Sequence, residues 1–309
     1  MSINKIAVIG AGLMGSGIAQ VFASKPDLSV NIFSIMLEED PYGPIKRNIN
    51  IMIGRDVMTQ DEADGILSRI TFKETLKDAV KDADFIIECV SEVMDLKQDL
   101  FAEIEGYCRE DAILATNTSV LKVTEVFSKC KIKSRVIGCH FWNPGHLIPL
   151  VEVVKIEGTS DASIEEAMEL LLSIGKRPIL CKKDVPGFIG NRLQFALWRE
   201  AIHMIENDIA DPQTIDDAVK FGPGLRWPIL GPIEACDMIG MELSYNILKN
   251  LLPHLADNHE PSPLIKEMLD RGDLGFKTGK GWQEWTPEQI EASTKRLREH
   301  LIDYSQKNR

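Results

Sequence analysis

The sequence is short of several things, and each shortage excludes a class of protein. No apolar run approaches the roughly 18 residues of a membrane-spanning helix, because Lys, Asp or Glu interrupts every one. Basic charge is not in excess. Against 47 acidic side chains stand 35 basic ones, a formal net charge of −12, the wrong sign for a surface that grips nucleic-acid phosphates. The six cysteines (Cys89, Cys108, Cys130, Cys139, Cys181, Cys236) are scattered, without a CxxC pair, so reduced thiols in a cytoplasmic protein are expected. No leader peptide is expected either, since the first apolar stretch carries three glycines by Gly15 and reads as a strand and turn. His254 and His259 are badly spaced for joint ligation on a helix, and no metal is expected. What remains is a globular composition of 44% hydrophobic and 27% charged residues over 309 positions, enough for two domains.

The first half alternates short β-rich runs with amphipathic stretches. Strands are expected at Lys5–Ile9, Ser29–Phe33, Asp84–Val90, Ala112–Thr116, Arg135–Cys139, Leu150–Ile156 and Pro178–Cys181. Helices are expected at Asp95–Gly106 and Ser163–Ile174, the second capped by Asp161. This alternation predicts an α/β, doubly wound, mostly parallel sheet of Rossmann type. After Asp184 the β signal ends. Pro186-Gly187 punctuates the chain, and helices are expected at Phe188–Ile205, from Asp211-Pro212 to Gly222, at Met241–Leu252, Pro263–Leu269 and Pro287–Tyr304. The expected division is therefore a cofactor-binding domain over 1–184 and an all-α domain over 185–309.

Gly10-Ala11-Gly12-Leu13-Met14-Gly15 follows the first strand and opens a helix. In that setting Gly10 allows a tight turn, Gly12 lets a pyrophosphate reach the backbone, and Gly15 lets helix and strand pack closely. The amides of Leu13 and Met14 then face the phosphates. An acidic residue usually holds the ribose at the end of the second strand. That place belongs to Ser34, 19 positions after Gly15. No arginine adjoins it to pair with a 2′-phosphate, so the expected cofactor is NAD rather than NADP.

His140 closes one expected strand and Glu152 opens the next, with the turn-rich stretch 141–149 between them. If the strands are neighbours, the two side chains meet at one end of the sheet. There a glutamate fixes the imidazole tautomer and stabilises the imidazolium that forms when the histidine takes a proton from an alcohol. The alternative is a structural histidine bonded in a turn, and the residues alone do not separate the two. Asn117 and Ser119 follow the fourth expected strand, where doubly wound sheets present ligand contacts; Ser119 holds a substrate oxygen or caps the next helix. Asn191 sits one turn into the first long helix of the second domain, where it binds a carbonyl or faces solvent.

Taken together these motifs resemble the L-3-hydroxyacyl-CoA dehydrogenase family along nearly the whole chain. The resemblance is carried by Gly10–Gly15, Ile87-Glu88 to Lys97, Thr116–Ser119, His140-Phe141-Trp142-Asn143-Pro144, Leu150–Val153, Asp184–Arg192 and Lys277-Thr278-Gly279-Lys280-Gly281. It implies a Rossmann domain and a helical domain that pairs two subunits. It implies His140 as catalytic base with Glu152 orienting it, and Ser119 and Asn191 positioning the substrate's oxygens. Glu92, Lys97 and Lys277 match positions that contact the nicotinamide cofactor.

The chain departs from that pattern at four places. Ser34 stands for the ribose-binding aspartate. Val57 stands where members acting on thioesters have a CoA-contacting lysine, leaving Arg55 as the sole cation of Asn50–Val57. His146-Leu147-Ile148-Pro149 replaces a Val-Met-Lys run and looks like relatives acting on free acids such as gulonate, carnitine or a pyridine carboxylate. The chain also continues past Gly281-Trp282 by a helix that short thioester enzymes lack. The expected activity is thus reversible oxidation of the 3-hydroxyl of a 3-hydroxyacyl-CoA or related 3-hydroxy acid. A dehydrogenase of a free hydroxy acid is the close alternative, and a non-catalytic NAD-binding protein on the same scaffold the third.

Overall fold

Along β1 (Lys5–Ile9) the side chains alternate between two buried faces. Ile6 and Val8 join one hydrophobic cluster, Ala7 and Ile9 the other. A strand apolar on both sides needs helices on both sides. The computed structural model, which describes residues 3–307, provides them. Its further strands are β2 (Ser29–Phe33), β3 (Ile70–Phe72), β4 (Phe85–Glu88), β5 (Ile113–Thr116), β6 (Val136–Phe141), β7 (Leu150–Val154) and β8 (Arg177–Cys181). They lie in one sheet in the order β3-β2-β1-β4-β5-β6-β7-β8. The chain winds outward from β1 in one direction and from β4 in the other. Between β1 and β4 the connections diverge and leave a crevice at the carboxyl ends of the strands.

The helices are α1 (Leu13–Ala23), α2 (Gly43–Ile53), α3 (Gln60–Ser68), α4 (Leu76–Val80), α5 (Met94–Tyr107), α6 (Val123–Val126) and α7 (Asp161–Ser173). They are followed by α8 (Gly190–Glu206), α9 (Pro212–Phe221), α10 (Pro223–Arg226), α11 (Pro232–Ile239), α12 (Met241–Leu251), α13 (Pro263–Arg271) and α14 (Pro287–Lys307). On α1, Phe22 is fully buried, its ring 5.9 Å from that of Phe85 and 6.2 Å from that of Phe141. Those contacts tie the cofactor helix to two strands whose ends carry the candidate site.

All strand pairs are parallel except β6–β7, which is antiparallel with His140 opposite Glu152. Several expectations shift. β3 was not expected, and β6 runs on to Phe141, so His140 lies within the strand. Ser160 rather than Asp161 caps α7, accepting the Ser163 amide at 3.1 Å. Helix α8 starts at Gly190 and not at Phe188, because Gly187 and Phe188 have φ of 76° and 47°. Asp211 does cap α9, accepting the Thr214 amide at 2.9 Å.

The chain forms two compact units. The first runs to Arg192 and includes the chain again from Arg298; the second is Leu193–Leu297. The compact units part at Arg192, a few residues past the expected domain division after Asp184, and the cause is local. Asp184 accepts the amides of Val123 and Thr124, Glu152 those of Ile189 and Gly190, and Asn191 donates to the Ser119 carbonyl. The end of α14 belongs to the first unit through the buried Ile302 and through Arg55, which binds Glu299 and Asp303. The second unit is helical, with isolated bridges Gly275–Lys280 and Lys280–Glu284. No helix among the described residues is long and apolar enough to cross a membrane.

Candidate active site

The glycine-rich turn sits at the carboxyl end of β1. Gly10 has φ 106°, and a Cβ there would lie 2.7 Å from the Cys89 carbonyl oxygen. A Cβ on Gly15 would lie 1.8 Å from the Gly10 carbonyl oxygen. Packing therefore demands glycine at both positions. Gly12 differs: nothing lies within 4 Å of its missing side chain. It is also the N-cap of α1 with no side-chain cap, so the first-turn amides at Leu13, Met14 and Gly15 have no side-chain acceptor. The Leu13 side chain is exposed, while Met14 packs back against the core. An open backbone surface ringed by unclaimed amides at a helix N-terminus suits a pyrophosphate.

At the end of β2, Ser34 turns its hydroxyl onto the Met36 carbonyl at 2.8 Å. The nearest cations are already taken. Arg47 is bidentate to Glu38, at 2.9 and 2.7 Å, and Lys46 binds Asp40 at 2.8 Å. These contacts hold the Glu38 and Asp40 carboxyls below their usual ranges. Ile35 and Met36 beside them are 87% and 81% exposed, an apolar surface suited to an adenine face.

A buried ionic network lies at the ends of β4 and β5. Lys97, expected to touch the cofactor directly, is 1% exposed and is held by Glu88 at 2.6 Å and Glu92 at 3.2 Å. Burial pushes the Glu88 carboxyl up against the opposing pull of Lys97 and of its hydrogen bonds from Lys97, Thr116 and Val90. Glu92 is the more exposed member and accepts from Thr118 Oγ1 at 2.5 Å and the Ser119 amide at 2.9 Å. Partial burial pushes the Glu92 carboxyl up, but those bonds and Lys97 leave it lowered. Thr118, not Ser119, receives the Leu121 amide, and Ser119 Oγ has no hydrogen-bond partner among the described residues. Asn117 spends its Oδ1 on the Phe141 amide at 2.8 Å, stitching β5 to the residue after His140.

His140 and Glu152 face each other across the β6–β7 ladder, as residues directly opposite in an antiparallel pair must. His140 Nδ1 lies 2.8 Å from Glu152 Oε2, which also accepts from Trp142 Nε1 at 3.2 Å. Oε1 accepts the amides of Ile189 and Gly190 at 2.8 and 2.9 Å, at the N-terminus of α8. Burial pushes the Glu152 carboxyl up, but these four donors outweigh it and hold it below the usual carboxylate range. A carboxylate can only accept, so Nδ1 carries a proton, and in the neutral imidazole Nε2 presents its lone pair. Trp142 and Phe188 flank the imidazole, each ring centroid 5.8 Å away. A Cβ on Gly190 would lie 2.4 Å from the Trp142 ring, so this glycine lets the indole reach Glu152.

The first unit thus brings together His140, Glu152, Ser119 and Asn191, whose Nδ2 donates to the Ser119 carbonyl at 3.1 Å. Lys277 lies in the second unit, on the wall of a cavity of about 770 Å³ lined also by Trp198, Phe276, Trp282 and Trp285. Sequence reasoning missed Trp142 as a donor, the amides of Ile189 and Gly190, and the hold of Glu88 on Lys97. All three lie inside motifs it had singled out. No group of three or more His, Cys, Asp or Glu side chains among the described residues is placed to hold a metal ion.

Two family models divide the chain between them. Residues 5–185 match 3-hydroxyacyl-CoA dehydrogenase, NAD binding domain, and residues 187–285 match 3-hydroxyacyl-CoA dehydrogenase, C-terminal domain. The chain belongs to the 3-hydroxyacyl-CoA dehydrogenase family. Membership makes NAD its cofactor and oxidation of a CH–OH group its reaction class. Within the family it is 32% identical over 296 residues to 5-formyl-3-hydroxy-2-methylpyridine 4-carboxylate 5-dehydrogenase of Mesorhizobium japonicum, covering 94% of this chain and 93% of that one. It is 34% identical over 290 residues to a probable 3-hydroxybutyryl-CoA dehydrogenase of Bacillus subtilis, covering 92% and 98%. A solved structure of the 5-dehydrogenase of the same pyridine carboxylic acid, described as an NAD+ dependent dismutase, superposes with a TM-score of 0.90 at 29% identity, covering 99% of both chains. The structure of (S)-3-hydroxybutyryl-CoA dehydrogenase from Ralstonia eutropha gives 0.77 at 32% identity, covering 92% of this chain and all of that one.

Proposed function

We propose that the protein oxidises the hydroxyl-bearing carbon of a small free hydroxy acid, with His140 as the base. The observation that carries the chemistry is the His140–Glu152 pair, with a buried carboxylate on Nδ1 and a free Nε2. Nε2 takes the hydroxyl proton as the carbon gives up hydride, and Glu152 stabilises the imidazolium so formed. Bound NAD+ supplies the hydride acceptor. The free Ser119 hydroxyl, on backbone held by Glu92 and Asn191, and the Asn191 side-chain amide, which gives the Ser119 carbonyl one of its bonds, orient the substrate's oxygens. Glu92 and Lys97 shape the cofactor side as an ion pair.

A second observation supports the choice of a free acid. Arg55, the one cation of Asn50–Val57, is bound by Glu299 at 3.1 Å and Asp303 at 2.9 Å, both from α14. Exposed ion pairs of this kind contribute only about 0–1 kcal/mol to stability, but two carboxylates on one guanidinium leave no positive charge for a CoA phosphate. Helix α14 lies beyond the end of the C-terminal family model. Pairing of two copies through the second unit is supported by its exposed Phe221, Leu225, Ile229 and Ile233, each above 70%.

The test is NADH formation on 3-hydroxybutyryl-CoA and on a panel of free acids: 3-hydroxybutyrate, gulonate, carnitine and a hydroxymethyl-pyridine carboxylate. At least one free acid is expected to exceed the thioester in kcat/KM by about 100-fold, equivalent to about 2.7 kcal/mol. Preference for the thioester refutes the substrate choice, and no turnover on any of them refutes the activity.

A further inference from the structure

Lys176 is 5% exposed, yet no carboxylate among the described residues pairs with it. Its Nζ donates to the carbonyls of Gly145 at 2.6 Å and Ile148 at 2.7 Å, and lies 5.8 Å from the centroid of the Phe141 ring. Both carbonyls belong to the loop 142–149, which leaves β6 just after His140 and enters β7 just before Glu152. That loop carries Trp142, whose indole donates to Glu152. It also rests on the cofactor helix. A Cβ on Gly145 would meet Ile18 at 3.4 Å and Met14 at 3.5 Å, and a Cβ on Gly17 would meet the His146 backbone and ring at 3.4 Å. One ammonium therefore holds the segment lying between the glycine-rich helix and the catalytic pair.

We propose that Lys176 is a positioning residue for the His140–Glu152 pair, its ammonium clamping loop 142–149 so that Trp142 and α1 fix where the imidazole stands. The proposal rests on His140 as base, and it adds a group that touches neither substrate nor cofactor. Charge is part of the device, since an ammonium makes shorter and stronger bonds to carbonyls than a neutral amine and offers one more donor. The groups around it do not compete for that charge. Beside Lys176 a cavity of about 200 Å³ is lined by Gln20 from α1, Met52 from α2, His146 from the loop and Ser305 from α14, with no acidic residue. Burial, with Lys176 nearby, pushes the His146 imidazole down to about 4, so it is neutral.

Burial likewise lowers the Lys176 ammonium to about 8. A lysine whose folded value lies below its unfolded one costs stability while charged, and that cost fades as pH rises from about 8 to 10.5. Above pH 8 the clamp loosens while this group's contribution to stability improves. Activity and stability should therefore part company, which a merely structural lysine would not cause.

The experiment measures kcat against pH, NADH affinity and melting temperature for the wild type, Lys176→Arg and Lys176→Met, with the His140 Nδ1 proton followed by NMR. The wild type should lose kcat along a limb near pH 8 without a parallel loss of melting temperature. Lys176→Arg should carry no such limb below about pH 10, because a guanidinium stays charged. Lys176→Met should lower kcat by about 10–100-fold at pH 7, the scale of a small displacement of a catalytic group, with NADH affinity retained. A limb unchanged in Lys176→Arg, or NADH affinity lost together with turnover in Lys176→Met, overturns the proposal. If the methionine variant does not fold, the arginine comparison decides. If the wild type turns over neither the acids nor the thioester, the base assignment fails and the Nδ1 proton decides the clamp. A resonance that shifts through pH 8 in the wild type but not in Lys176→Arg supports it, and identical behaviour in both overturns it.

Discussion

Four donors converge on one carboxylate. Glu152 receives His140 Nδ1, the Trp142 indole and the amides of Ile189 and Gly190, and the last two come from a turn held by positive φ at Gly187 and Phe188. Charge-assisted hydrogen bonds are worth roughly 1.5–3 kcal/mol each, which is how a buried carboxylate stays ionised. Replacing Glu152 by Gln puts an NH2 group among donors, so kcat should fall by about 10²–10⁴-fold and urea stability should drop. A variant with unchanged kcat would show that Glu152 does not charge the imidazole. Because the folded Glu152 value lies below the usual one, its stabilisation is complete above about pH 4.5 and is lost as pH falls through the folded value. The glutamine variant should show less acid destabilisation than the wild type. His140 and Glu152 were legible in the sequence because a turn-rich linker between two β runs brings strand ends together. The amides on Glu152 and the carbonyls on Lys176 were not, since backbone groups leave no mark in residue identity.

At the scale of elements, the cofactor turn depends on α1 lying close to β1, and Gly15 permits it. Gly15→Ala would drive a Cβ into the Gly10 carbonyl. NADH affinity should therefore fall by at least about tenfold, or 1.4 kcal/mol, while far-ultraviolet circular dichroism is retained. Undiminished affinity would contradict the pyrophosphate assignment. Most strands could be read from apolar runs, and the α9 cap from Asp211-Pro212. β3 escaped because three residues, with Thr71 exposed between Ile70 and Phe72, carry too little pattern. The start of α8 was misplaced because a non-glycine residue with positive φ gives no warning in a helical periodicity. The ion pair of Lys97 with Glu88 was not legible, because nothing in the spacing told that a glutamate inside an apolar strand would hold it.

For the whole molecule, acidity is more than an argument against nucleic acid. The surplus carboxylates appear beside the cations that would otherwise attract phosphate: Glu38 on Arg47, Asp40 on Lys46, Glu299 and Asp303 on Arg55. The first two pairs lie past the ribose position and agree with NAD; the third argues for an acid without CoA. The return of α14 to the first unit was not legible, because its charged periodicity specifies a helix but not which surface it covers. The proposed function rests on one chemical claim, that His140 removes the proton while hydride leaves for NAD+. The most direct test is single-turnover NADH formation by His140→Gln on the best free acid of the panel, with NADH binding measured in parallel. The account predicts that hydride transfer falls by at least about 10³-fold with NADH affinity unchanged; hydride transfer near the wild-type rate would contradict it.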